Sequence, residues 1–283
     1  MNVRPTCKSR ANATVGEPER VLLWPDGVPG GYDPENLPHL DIYRPLAPVQ
    51  PTTPPIVLIP GGGYECLSEQ DGDPFARYLN RLGYWVAVVS YRVKPFGFPA
   101  PYDDACRAIR LTRFWSEKES LRADRLVLMG FSAGGHLAAT IGTQPELHCE
   151  KADALAANYS SRPDGMVLVY PVISFCEWSG EGKTCENLLG AKAPIHLRQR
   201  LSADLHVDEK TPPSILFHGN YDNIVPVQNS LRFVDACIRH GVKAELLVYP
   251  RDYHGIASDE TDPAVAVWTV VLENWLKRFQ EET

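Results

Sequence analysis

Gly130-Phe131-Ser132-Ala133-Gly134 follows a predicted strand, Arg125–Met129, and opens a helical pattern, Gly135-His136-Leu137-Ala138-Ala139. A serine on so sharp a strand-to-helix turn exposes its hydroxyl and sits in a strained backbone conformation. The positions two before and two after it must be nearly free of side chain, and Gly130, Ala133 and Gly134 meet that demand. A plain glycine-rich helix cap would not need glycine on both sides. Ser132 is therefore the candidate nucleophile.

Working outward, Pro60-Gly61-Gly62-Gly63-Tyr64 directly follows the predicted strand Pro55–Ile59. An attacked carbonyl becomes an oxyanion, which needs N–H donors already aimed at it. Consecutive glycines let the backbone approach without interference from Cβ. Gly62 and Gly63 are the expected donors on this side, and Ala133, the residue after the nucleophile, on the other.

A base and an acid should lie downstream in the order serine, acid, histidine. Three histidines compete. His136 lies about one turn into the helix that starts at Ser132, and His218 ends a predicted strand, where a structural role is expected. His254 alone sits on a late loop after the acid, in Tyr249-Pro250-Arg251-Asp252-Tyr253-His254-Gly255. The acid must be a carboxylate able to reach the far nitrogen of that ring. Asp222, in His218-Gly219-Asn220-Tyr221-Asp222, fits; Asp252 is the competitor, but two residues from His254 it can hardly reach around the ring. Tyr64, Trp178 and Tyr253 lie near these segments and are expected to narrow the pocket and offer faces for substrate stacking.

The rest of the chain alternates short apolar runs with helical patterns, the mark of an α/β fold whose parallel sheet is covered on both faces. Eight strands are predicted: Arg20–Trp24, Leu37–Tyr43, Pro55–Ile59, Trp85–Ser90, Arg125–Met129, Met166–Tyr170, Ser214–His218 and Glu245–Tyr249. Helices are predicted at Pro74–Leu82 (Phe75, Tyr78, Leu79 and Leu82 on one face), Tyr102–Ser116, Val227–His240 and Pro263–Gln280. Residues 174–213 break the rhythm and read as a small cap insertion with one short helix around Leu197–Leu205. A flexible segment at 1–18 followed by a single domain over 19–283 is expected.

Composition narrows the class. With 44% hydrophobic and 22% charged residues in 283, the chain is an ordinary globular protein. A net charge of −7 argues against a polyanionic partner. Arg107, Arg110 and Arg113, spaced by three, form the nearest thing to a basic stripe and read as a helix face paired with nearby acids. No apolar run reaches membrane-spanning length and no apolar leader stands at the N-terminus, so a cytoplasmic protein with neither nucleic-acid nor membrane partners is expected. Seven cysteines without C-x-x-C spacing suggest neither a zinc site nor a full disulfide framework, although Cys176 and Cys185 could pair.

At these motifs the chain resembles the α/β-hydrolase superfamily, on the esterase branch that holds hormone-sensitive-lipase-like and acetyl-xylan-type enzymes. Asp41-Ile42-Tyr43-Arg44-Pro45, Ser90-Tyr91-Arg92, Tyr170-Pro171-Val172-Ile173 and Asn187-Leu188-Leu189-Gly190 extend the likeness over most of the chain. Pro60 stands where the lipase-like branch has histidine, which leans toward the carbohydrate acetylesterases. The resemblance implies a mostly parallel eight-stranded sheet and a Ser132–His254–Asp222 triad. It also implies hydrolysis of carboxylic esters without metal or organic cofactor, with an acetylated xylan-type sugar as the expected substrate. The rivals are a general short-chain carboxylesterase, a prolyl-oligopeptidase-type peptidase, for which no propeller repeats exist, and a non-catalytic binding module on the same fold.

Overall fold

A computed structural model of the protein describes residues 17–45, 53–119, 121–155, 157–176, 182–255 and 266–281. Among them, eight strands form one sheet: β1 (Glu19–Leu22), β2 (His39–Tyr43), β3 (Ile56–Ile59), β4 (Val86–Ser90), β5 (Val127–Phe131), β6 (Gly165–Val169), β7 (Ser214–Gly219) and β8 (Ala244–Tyr249). Their order across the sheet is β1-β2-β4-β3-β5-β6-β7-β8. β2 runs antiparallel to both β1 and β4, and every later pairing is parallel. Each of the eight predicted strands is present within two residues of its expected bounds. The largest shift is at β5, which runs two residues further than expected and delivers the chain directly to Ser132.

β3 shows why this sheet is buried on both faces. Val57 and Ile59 belong to one apolar core and Ile56 and Leu58 to the other, as alternation along a strand requires. The first core is closed by α2 (Ala100–Lys118), α3 (Ser132–Thr143) and α6 (Gln228–Arg239), through residues such as Ile109, Leu137 and Phe233. The second is closed by α1 (Asp73–Arg81) and α7 (Val267–Glu281), through Phe75, Leu79, Trp268 and Leu272. Leu82, expected on the buried face of α1, is instead exposed, because the helix ends at Arg81 and Leu82 caps it. The expected start of the last helix, 263–265, lies outside the described residues, as does 1–16 of the expected N-terminal segment.

Between β6 and β7 the insertion holds α4 (Gly182–Leu189), which the sequence pattern did not reveal, and α5 (Ile195–Arg200), followed by a short 3₁₀ turn at Ala203–Leu205. Cys176 and Cys185 on either side of its first part are free thiols. The arginine stripe on α2 is consumed internally. Arg107 and Arg110 both pair with Asp153, and Arg113 binds Asp164 and the Ala123 and Arg162 carbonyls. None of the described helices is long and apolar enough to cross a membrane.

His136 ties these layers together. Fully buried on α3, it donates from Nε2 to the Leu201 carbonyl at 2.7 Å and accepts the Tyr64 hydroxyl at Nδ1 at 2.8 Å, with its ring stacked on Phe175. Burial pushes its pKa down to about 4. Unfolded, the imidazole titrates near about 6.5, so between the two values the unfolded chain holds the extra proton. Stability from this group is therefore complete above the unfolded value and drains as pH falls toward about 4. Gln at 136 can accept from Tyr64 and donate to Leu201 without titrating. Urea unfolding near neutral pH and again at about pH 4.5 should show the parent losing up to about 3 kcal/mol more than His136→Gln. Equal losses in the two proteins would refute the assignment.

Candidate active site

The elbow is a backbone problem solved by glycine. β5 ends at Phe131 and α3 begins at Ser132, which holds φ 51° to make the reversal. A Cβ on Gly130 would lie 2.3 Å from the Gly134 carbonyl oxygen, and one on Gly134 would lie 2.2 Å from that of Ile59. Both clashes are with backbone, so neither position can carry a side chain without moving the sheet. The reversal leaves the hydroxyl of Ser132 at the carboxyl edge of β5 and the Ala133 amide in the first turn of α3, where the helix dipole favours negative charge.

Two loops at the neighbouring strand ends bring the other groups. After β7 and β8 the chain is cross-linked: Asn220 N–H donates to the Tyr249 carbonyl, Tyr221 N–H to that of Arg251, and Arg251 N–H to the Asn220 side chain. This braid carries His254 to Ser132. The serine hydroxyl lies 2.8 Å from Nε2, and Nδ1 lies 2.7 Å from Oδ2 of Asp222. The other carboxylate oxygen of Asp222 accepts the Ile224 and Val225 N–H groups, each at 2.9 Å. Burial works against the Asp222 charge, but the nearby His218 imidazole and the hydrogen bonds from His254 and Val225 outweigh it and hold the carboxyl well below the ordinary range. Asp252, the rival acid, is exposed. His218 takes the structural place expected of it, bonded to Ser230 and to the Val225 carbonyl, 3.6 Å from the Asp222 carboxylate.

The glycine loop completes the arrangement, and its polar groups can be accounted for one by one. The Pro60 carbonyl accepts the Tyr91 hydroxyl, Gly61 accepts Ser68 N–H, Gly62 accepts Glu65 and Cys66 N–H, and Gly63 accepts the Asn187 side-chain amide from α4. Gly61 N–H donates to Asp71. What remains is the N–H of Gly62, Gly63 and Tyr64, none of which donates to a partner among the described residues. A hydroxyl backed by imidazole and a buried carboxylate, beside free N–H donors, is equipped to add to a carbonyl and to hold the resulting oxyanion.

The expected substrate contacts fare differently. Tyr64 is fully buried, its hydroxyl on His136 and its ring edge-on to Tyr91, so it has no face to offer a ligand. Its apolar ring anchors the loop to α3 instead. Trp178 lies outside the described residues, and Tyr253 is half-buried beside His254. Three groups bear on the site without a role assigned to them from the sequence. Asp71 and Tyr170 bond each other behind the glycine loop, and Tyr170 packs edge-on to His254 at 4.5 Å. Asn187 reaches the loop from the insertion. Tyr170 carried a cue in its place at the end of a predicted strand and Asn187 in the family-like segment it opens; Asp71 carried none.

The BD-FAE family model matches residues 40–236. An endo-1,4-β-xylanase B from Butyrivibrio fibrisolvens is 31% identical over 72% of this chain and 33% of its own length. An acetylxylan esterase from Xylanibacter ruminicola is 31% identical over 81% of this chain and 46% of its own. The chain thus spans less than half the length of either relative. A crystal structure of an acetyl ester-xyloside bifunctional hydrolase from Caldicellulosiruptor lactoaceticus superposes with a TM-score of 0.85 at 38% identity, covering 94% of this chain and 98% of that one.

If Asp222 orients the base, Asp222→Asn should slow covalent labelling of Ser132 by a phosphonate probe at least about 100-fold, since the imidazole would take the wrong tautomer. Asp252→Asn should label within about twofold of the parent rate. The reverse ranking, followed by mass spectrometry of the intact protein, would transfer the role to Asp252.

Proposed function

The chain belongs to the BD-FAE family of α/β-hydrolases, on their esterase branch, and from that premise we propose that it is a serine carboxylic-ester hydrolase that deacetylates small acetylated carbohydrates of the xylan type. One observation carries the reading: the hydroxyl of Ser132, His254 and Asp222 form a continuous hydrogen-bonded chain beside the free N–H groups of the glycine loop. The choice of acetyl and of a xylan-type sugar is supported by two relatives, the acetylxylan esterase at 31% identity and the acetyl ester-xyloside bifunctional hydrolase at 38%.

In this mechanism His254 Nε2 takes the Ser132 proton as the oxygen attacks the ester carbonyl. Asp222 holds Nδ1–H and stabilises the imidazolium that forms. The oxyanion is received by the N–H groups of Gly62, Gly63 and Ala133. His254 returns its proton to the departing sugar oxygen, leaving an acetyl-enzyme. Water, deprotonated by the same imidazole, then releases acetate and restores Ser132. No step calls on a metal or organic cofactor. Tyr253, next to His254, is the side chain we assign to contact with the sugar. Among the described residues six cysteines are free thiols, with Cys66 and Cys149 exposed, which suits a reducing compartment such as the cytoplasm.

Acetate release from acetylated xylo-oligosaccharides, assayed beside p-nitrophenyl acetate, should be present in the parent and lost in Ser132→Ala, by on the order of a millionfold if the serine-protease precedent holds. A variant keeping more than about a tenth of parental turnover would end the assignment. Acyl length gives a separate check: kcat/KM should fall at least about tenfold from acetyl or propionyl to octanoyl esters. A flat or rising series would favour a general or lipase-like esterase.

A further inference from the structure

Asp71 has no task in the mechanism above, yet it is buried directly behind the oxyanion loop. It is the last residue of a short 3₁₀ turn, Glu69–Asp71, ahead of α1, with 7% of its surface exposed. Among the described residues no cation pairs with it. Its two oxygens serve two different elements: Oδ2 accepts the Gly61 N–H at 3.2 Å, and Oδ1 accepts the Tyr170 hydroxyl at 2.9 Å. A Cβ placed on Gly61 would touch Asp71 Oδ2 at 2.9 Å and the Ser132 Cβ at 3.0 Å, so carboxylate, loop and nucleophile are packed with only a glycine between them.

We propose that Asp71 is a positioning residue for the oxyanion donors, and that through Tyr170 it registers the glycine loop against His254. The peptide between Pro60 and Gly61 is gripped at both ends, its carbonyl by the Tyr91 hydroxyl at 2.8 Å and its N–H by Asp71. With that plane held and the following carbonyls each engaged, the N–H groups of Gly62 and Gly63 have one direction left. Tyr170 extends the grip. It holds φ 37°, and the ring whose hydroxyl binds Asp71 lies edge-on to the His254 imidazole. Loop and base are thereby set from a single carboxylate. Ser132, Tyr64 and Tyr170 are the non-glycine residues of the described chain at positive φ, and all three lie in this assembly. Backbone strain gathers where surrounding structure over-determines it, often at functional sites. Burial pushes the Asp71 carboxyl above its ordinary range, which marks how little solvent compensates the charge. An amide is a poorer substitute: its oxygen can accept the Gly61 N–H, but its NH₂ would then face Tyr170, whose hydroxyl would have to turn and accept, reversing the bond the carboxylate receives.

The inference rests on the ester-hydrolase reading and deepens it, so its test is run in the full chain beside Ser132→Ala. Active serine is counted by its burst with a phosphonate, and turnover of p-nitrophenyl acetate is expressed per titrated site. Asp71→Asn should lower kcat per site by about 10- to 100-fold, the scale of a misplaced donor, with KM within about threefold of the parent. Tyr170→Phe keeps the ring against His254 and should give a smaller loss of the same kind. The double variant should be less impaired than the product of the two, because both act through one carboxylate. A purely structural Asp71 would lower the titrated fraction and the unfolding midpoint but leave kcat per site within about twofold, and that result overturns the proposal. If Asp71→Asn does not fold, Tyr170→Phe with unchanged kcat per site overturns it equally. Activity surviving in Ser132→Ala would instead bring down the hydrolase reading itself, a failure distinguishable from the first.

Discussion

At Ser132 the chain passes from a central strand of the sheet into a fully buried helix within one residue, and the backbone there holds φ 51°. A side-chain-bearing residue in that region stores strain of about 1–3 kcal/mol, sustained only when its surroundings leave no alternative. Here they do not. β5 lies between β3 and β6 with every residue buried, and α3 beyond its first residue is buried throughout. The glycines at 130 and 134 let these elements close to backbone contact. Everything else in the site is placed relative to this turn, because the parallel strands on either side end at the same edge and their loops converge over it.

Two buried carboxylates flank the serine, and the structure treats them in opposite ways. Asp222 faces an imidazole and two backbone amides, and that partnership keeps it charged in spite of burial. Asp71 faces uncharged donors, a peptide N–H and a phenol, and for it burial prevails. Partner chemistry contributes to the difference: His254 bonds Asp222 directly but acts on Asp71 only at a distance. A carboxylate against a group that becomes cationic during a proton transfer is stabilised most when that cation forms. One against fixed dipoles orients what it holds.

The insertion between β6 and β7 bears on the same loop from outside. Asn187 on α4 binds the Gly63 carbonyl, and Lys183 pairs with Glu65 two residues on. The glycine loop is thus held by a buried acid on one side and a surface helix on the other. Fold alone would not settle what such a site hydrolyses. The choice of acetylated carbohydrate leans on relatives of which the chain covers 46% and 98%.

Apolar alternation and glycine spacing were enough to place all eight strands, the elbow at Ser132 and the loops bearing Asp222 and His254. These features are local: strand period, a turn that only glycine permits, and the order of motifs along the chain. Helix α4 was not legible, since eight residues beginning Gly-Lys-Thr carry little periodic signal and gain their order by docking on the glycine loop. The role of Tyr64 was misjudged for a related reason. Its neighbour in sequence is the glycine loop, but its ring is packed against His136, 72 residues away. Asp71 and Tyr170, 99 residues apart, meet only once the sheet is assembled. Sequence determined which backbone could make the turn and which residue types could do the chemistry. Tertiary structure alone decided which buried polar group satisfied which, because hydrogen bonds between distant segments leave no periodic trace in the chain that makes them.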